Sequence, residues 1–97
     1  MWIGWIEFDV LLGDVHSLKG KRAVLRPIIG ELRRNLDVSV AEVGEQDLHR
    51  RAVIGVGVVA SGADRVTETL DRAERLVAGR PDITLLSARR RLHRSDE

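Results

Sequence analysis

Residues 2–12 alternate. The even positions hold Trp2, Gly4, Ile6, Phe8, Val10 and Leu12, and the odd ones include Glu7 and Asp9. A period of two with one apolar face predicts a half-buried strand. Over Leu18 to Leu36 the period changes. Leu18, Leu25, Ile29, Leu32 and Leu36 fall on one side of a helix at about 100° per residue, and Ser17 suits its N-cap. Val38 to Val43 predicts a second, shorter strand, and "GEQD" a turn after it, with Gln46 and Asp47 closing the turn. Ala52 to Ala60 is apolar on both faces and predicts a central third strand. "SGAD" then reads as a capping box with Ser61 as N-cap and Asp64 behind it. The helix it opens carries Val66, Leu70, Ala73 and Val77 on one face and stops at Gly79 and Pro81. Ile83 to about Leu92 predicts the last strand.

The order is βαββαβ. Two split βαβ units predict an α+β, ferredoxin-like sandwich: a four-stranded antiparallel sheet with two helices on one face. That topology puts the first and third strands at the centre, and these are the two with the most buried patterns. Residues 1–93 form the single domain, and 94–97 a frayed tail. Pro27 breaks the pattern of the first helix, since it has no N–H for the Ala23 carbonyl and costs about 3 kcal/mol in a helix interior. Either the helix kinks near Ala23 or it starts at Pro27. The kink is the better reading, because Leu18 and Leu25 keep the phase of the later turns.

Composition narrows the class without naming a function. The 97 residues are 43% hydrophobic and include no cysteine, which leaves a thin but real core, no disulfides and no thiolate chemistry. No apolar run approaches the roughly 18 residues of a bilayer span. "MWIGWIEFDV" lacks a basic leader, so a cytoplasmic protein is expected. Net charge is +1, but the positive charge is clustered. Between His16 and Asn35, Lys19, Lys21, Arg22, Arg26, Arg33 and Arg34 face a single acid, Glu31. Lys19, Arg22, Arg26 and Arg33 fall within about 60° on a helical wheel. Cations in a first turn oppose the helix dipole by about 0.3–1 kcal/mol each, so local stability does not explain them. Either they solvate a helix edge and pair with acids from elsewhere, or they hold an anion, for which an RNA phosphate is the expected one. Lys19, Lys21, Arg22, Arg26 and Arg33 are therefore the expected nucleic-acid-binding residues.

Two stretches carry a family resemblance. Ser17-Leu18-Lys19-Gly20-Lys21-Arg22 and the block from Val40 to Leu48, "VAEVGEQDL", resemble the marks of the YlxP-like family, a bacterial domain of unknown function. The resemblance spans nearly the whole chain. It implies a ferredoxin-like fold, in agreement with the periodicities. It also implies a role near RNA or the ribosome, because genes of the family typically adjoin those of translation initiation factor two and a ribosome-binding factor. It brings no catalytic residues. Gly20 departs from the family pattern, where an acid is common, and so does His49, where an aromatic is usual.

Other chemistry is thin. The only aromatics are Trp2, Trp5 and Phe8, too few and too close for base stacking across a sheet. Asp47 with His49, and Asp14 with His16, are chance pairs rather than metal sites. Ser17 is better spent as a cap than as a nucleophile, and no helix opens behind "GVG" in the third strand. No enzyme activity, metal or cofactor is expected. The open sheet face is apolar enough to pair with a second copy or a partner protein through Ile3, Trp5, Val53 and Val59, with Leu11 beside them, so a homodimer is expected. Glu7 and Asp9 on that face are expected to meet Arg89 and Arg91 of the last strand.

Overall fold

The computed structural model describes all 97 residues. Its elements follow the expected order: β1 (Trp2–Leu12), α1 (Leu18–Asn35), β2 (Ser39–Gly44), β3 (Arg51–Ala60), α2 (Ala63–Ala78) and β4 (Ile83–Arg94). The strands form one antiparallel sheet in the order β2-β3-β1-β4, with β1 and β3 central. This is the ferredoxin-like α+β fold. The even residues of β1 and β3 face the helices, and Ile6, Phe8, Val10, Leu12, Ala52, Ile54 and Val56 are buried with one stripe from each helix. The period-two and period-3.6 patterns thus converge on one core.

Gly4 is the exception in the core phase of β1, and its place is steric. A Cβ there would lie 2.2 Å from Val66 Cγ1, so α2 rests directly on bare β1 backbone at this point.

Three local expectations change, and the start of α1 ahead of Pro27 stands as read. The buried stripe of α1 is Lys21, Leu25, Ile28 and Leu32, while Leu18 is 40% exposed. Spacings of four, three and four place Ile28, not Ile29, towards the sheet. α1 runs unbroken past Pro27, capped at Ser17, so Pro27 is not its start. The N-cap of α2 is Gly62 rather than Ser61, and no side chain caps it. Asp64 Oδ1 instead accepts from the Arg65 N–H at 3.0 Å. Finally, β4 continues to Arg94, and the Ser95 N–H bonds to the Met1 carbonyl at 2.9 Å.

Candidate nucleic-acid interface

The start of α1 is built around its cap. Ser17 Oγ accepts the Gly20 N–H at 3.0 Å, and no acid stands in the first turn. Lys19, Arg22, Arg26 and Arg33 are all exposed, and none forms an ion pair. Arg33 is partly engaged, since its Nη2 donates to the Val40 carbonyl at 2.7 Å. Arg34 stands beside the stripe, likewise without a carboxylate. The one acid of α1, Glu31, is taken by Arg80 Nη1 at 2.7 Å. The outer face of the helix is left positive and uncompensated.

Lys21 does not belong to that face. It is 1% exposed. Its Nζ lies 2.7 Å from the Glu45 carbonyl, 2.8 Å from the Leu48 carbonyl and 2.7 Å from Glu42 Oε2. Two of the ammonium's donors go to these carbonyls, and Glu42 Oε2, which has no hydrogen bond of its own, faces the charge as an ion pair. Lys21 is therefore withdrawn from the expected nucleic-acid-binding set. Its helical phase, one turn before Leu25, points it inward, and Glu42 opposite Ile54 on the core side of β2 meets it there. The same contacts explain the turn between β2 and β3. Glu45 adopts a left-handed φ of 58°, Leu48 N–H bonds to its carbonyl, and Gln46 Nε2 donates to the Glu42 carbonyl at 3.1 Å. The two sequence marks of the resemblance, far apart in the chain, are joined through this one ammonium.

The C-terminal arginines are mostly structural. Arg89 pairs with Glu7, its register partner across β1 and β4, as expected. Asp9 does not meet Arg91. The register sets Arg91 opposite Trp5, and both carboxylate oxygens of Asp9 instead accept from Arg51 of β3, Oδ2 at 2.7 Å and Oδ1 at 2.9 Å from Nη2. These hydrogen bonds, and then the charge of Asp9, raise the Arg51 pKa above the ordinary arginine value. Arg90 crosses to the helix side and holds Asp71 and Glu74 of α2, and Arg94 lies 5.7 Å over the Trp2 ring. Arg91 alone of this group has neither a carboxylate nor an aromatic partner.

The open sheet face is less continuous than its pattern suggests. Ile3 sits opposite Val59, which is 61% exposed, and Trp5 follows on the same face. Val53 lies at the far end, opposite Asp9, beyond the Glu7–Arg89 and Asp9–Arg51 pairs. Val43 follows Ala41 onto the same face by the alternation of β2, and lies over Gly55. Val43 thus joins Trp5, Ala41 and Gly57 in an almost wholly apolar groove of about 300 Å³. Its β2 wall is the period-two partner of the inward-facing Val40 and Glu42, and Gly55 and Gly57 of β3 leave the room for it. The largest hollow, about 710 Å³, lies elsewhere, between the end of α1 and the start of α2. Asp37, Asp64 and Glu68 line it as well as Arg65 and Arg72, so it shares neither the stripe nor its charge. No three His, Cys, Asp or Glu side chains converge on a point where a metal ion would sit.

Comparison with known proteins gives a family and no activity. "Uncharacterized protein YlxP" of Bacillus subtilis (strain 168) is 33% identical over 81 residues, which cover 84% of this chain and 88% of that protein. Among solved structures, SnoaB, a cofactor-independent oxygenase from Streptomyces nogalater, aligns over 99% of this chain and 94% of its own with a TM-score of 0.47 and 13% identity. A likeness at that level says nothing about chemistry. The family model described as "Protein of unknown function (DUF503)" matches residues 3–90, and the chain belongs to that family.

Proposed function

We propose that the protein is a non-enzymatic accessory factor that binds RNA phosphates, in a ribosomal setting within the cytoplasm, on the outer face of α1. The observation that carries this is the uncompensated charge of that helix. Of its six basic residues only Lys21 is neutralised, by Glu42, and the single acid is neutralised from outside by Arg80. Lys19, Arg22 and Arg26 spend no hydrogen bond within the protein, and Arg33 spends one on Val40. Lys19 opposes the helix dipole, and a row of cations without carboxylate partners is what a phosphate backbone would use.

The test is cosedimentation with ribosomal subunits and rRNA fragments at low and physiological salt. Wild type would be compared with a Lys19→Glu, Arg22→Glu, Arg26→Glu variant shown by circular dichroism to be folded. Binding by the wild type is expected to fall steeply with salt, with a logarithmic slope of about 0.7 per phosphate contact on single strands. The variant is expected not to bind. Equal behaviour of the two proteins refutes the reading.

The apolar groove supports a second reading, a homodimer stacked through the open sheet face around Trp5 and Val59. Here Trp5→Glu is expected to convert a dimer into a monomer in sedimentation equilibrium with little dependence on salt. A wild type that is already monomeric removes this reading.

A further inference from the structure

The two edges of the sheet differ in what their outward backbone groups meet. β2 has 6 residues and is interrupted by a bulge. Its outward carbonyls are occupied: Arg33 Nη2 donates to Val40, and Gln46 Nε2 to Glu42. A strand arriving there finds its acceptors taken and its register broken. β4 has 12 residues. Ser95 N–H bonds to the Met1 carbonyl, and antiparallel ladders alternate from such a pair. His93, Arg91 and Arg89 therefore direct their backbone groups to β1, while Leu92, Arg90 and Ala88 direct theirs outward. At the end of β4 the chain folds back on itself: Glu97 Oε1 accepts from Arg94 N–H at 2.7 Å, and Glu97 N–H donates to the Arg94 carbonyl at 3.2 Å. Nothing occupies the outward groups of Ala88, Arg90 and Leu92.

An open edge of this kind is a template for another strand, and the charges along it select which one. Arg89 and Arg91 stand on the open face of the sheet, with Arg90 on the helix side. A second copy of β4, set antiparallel, would bring arginine against arginine. An acidic segment would instead place a carboxylate beside Arg91, which has no partner, while Arg89 is already held by Glu7. We infer that the β4 edge from Ala88 to Leu92 docks an extended acidic segment of a partner protein, which adds to the sheet as a fifth strand. This surface lies apart from α1, so the inference stands independently of RNA binding.

The experiment uses the full chain, labelled with nitrogen-15, titrated with a synthetic peptide of alternating Glu and Val. The same peptide with Lys in place of Glu serves as control. The amides of Ala88, Arg90 and Leu92 are expected to shift and to gain protection from exchange with the Glu peptide only. Leu92→Pro removes one outward N–H at no cost to the ladder, since proline is tolerated where an edge N–H faces solvent. It is expected to weaken binding about tenfold or more, as is Arg91→Glu, an exposed change that leaves the fold intact. Several results would overturn the inference. They are failure of the Glu peptide to bind, equal binding of the Lys peptide, and indifference to both substitutions. Protection of the same amides by concentration of the protein alone, or by single-stranded RNA at lower concentration than the peptide, would overturn it too.

Discussion

Lys19 and Lys21 stand two residues apart at the start of α1, and the helix sends them to opposite environments. Lys21 points inward, loses its water and makes three contacts with the β2–β3 hairpin. Lys19 points outward and meets nothing. The same contrast divides the arginines. Arg51, Arg80, Arg89, Arg90 and Arg94 hold carboxylates of the fold, while Arg22 and Arg26 hold none. A count of basic residues therefore overstates the basic surface, and the helical phase decides how much remains. What remains on α1 is a set of charges the fold does not use.

Substitution separates the two classes by the sign of their effect on stability. The largest effect is expected at Lys21. Lys21→Ala strips Glu42 of its partner and leaves two carbonyls of the hairpin without a donor. Removing one member of a buried pair costs about 3–5 kcal/mol. Thermal denaturation of the variant is expected to show a loss in that range, and a loss below about 1 kcal/mol would mean that the hairpin holds without its latch. On the outer face the direction reverses. The Lys19→Glu, Arg22→Glu, Arg26→Glu protein is expected to be as stable as wild type or more stable by up to about 1 kcal/mol, because a carboxylate at Lys19 in the first turn agrees with the dipole and the other two positions are exposed. A variant that loses RNA binding while gaining stability has lost a site. One that loses both has lost part of the fold.

Most of the fold was legible because each element declared its own period. The alternation of β1, the apolar run of β3 and the Val66–Leu70–Ala73–Val77 stripe each assigned a face, and together they specified one topology. The candidate site was only half legible. Composition located the basic turn, but a lysine one turn before Leu25 reads the same whether it faces solvent or a carboxylate. Glu42, which captures it, lies on another element. Leu18 was misplaced for the converse reason: an apolar residue at a helix start satisfies the periodicity without having anything to pack against. The Arg51 partner of Asp9 sits one diagonal step across the β1–β3 register, which no local pattern states, whereas Val43 reaches the open face by the plain alternation of β2.

Gly20 gives the smallest and sharpest form of the contrast. It occupies the third helical position, where a glutamate would complete a capping box with Ser17. Glycine there costs about 0.5–1 kcal/mol against a good helix former. A side chain at this position is admissible, for a Cβ would lie 3.3 Å from Ser17 Oγ and 3.5 Å from Val15 Cγ1. Gly20→Glu is therefore expected to raise stability by about 1 kcal/mol, from helix propensity, from the box and from the dipole together. It also sets a negative charge among Lys19, Arg22 and Arg26. If those residues hold phosphate, the same substitution is expected to weaken RNA binding several-fold, and more at low salt than at high. Chemical denaturation and a salt-resolved binding titration on the one variant measure both effects. A gain in stability with unchanged binding would show that the positive turn is only the solvated end of a helix.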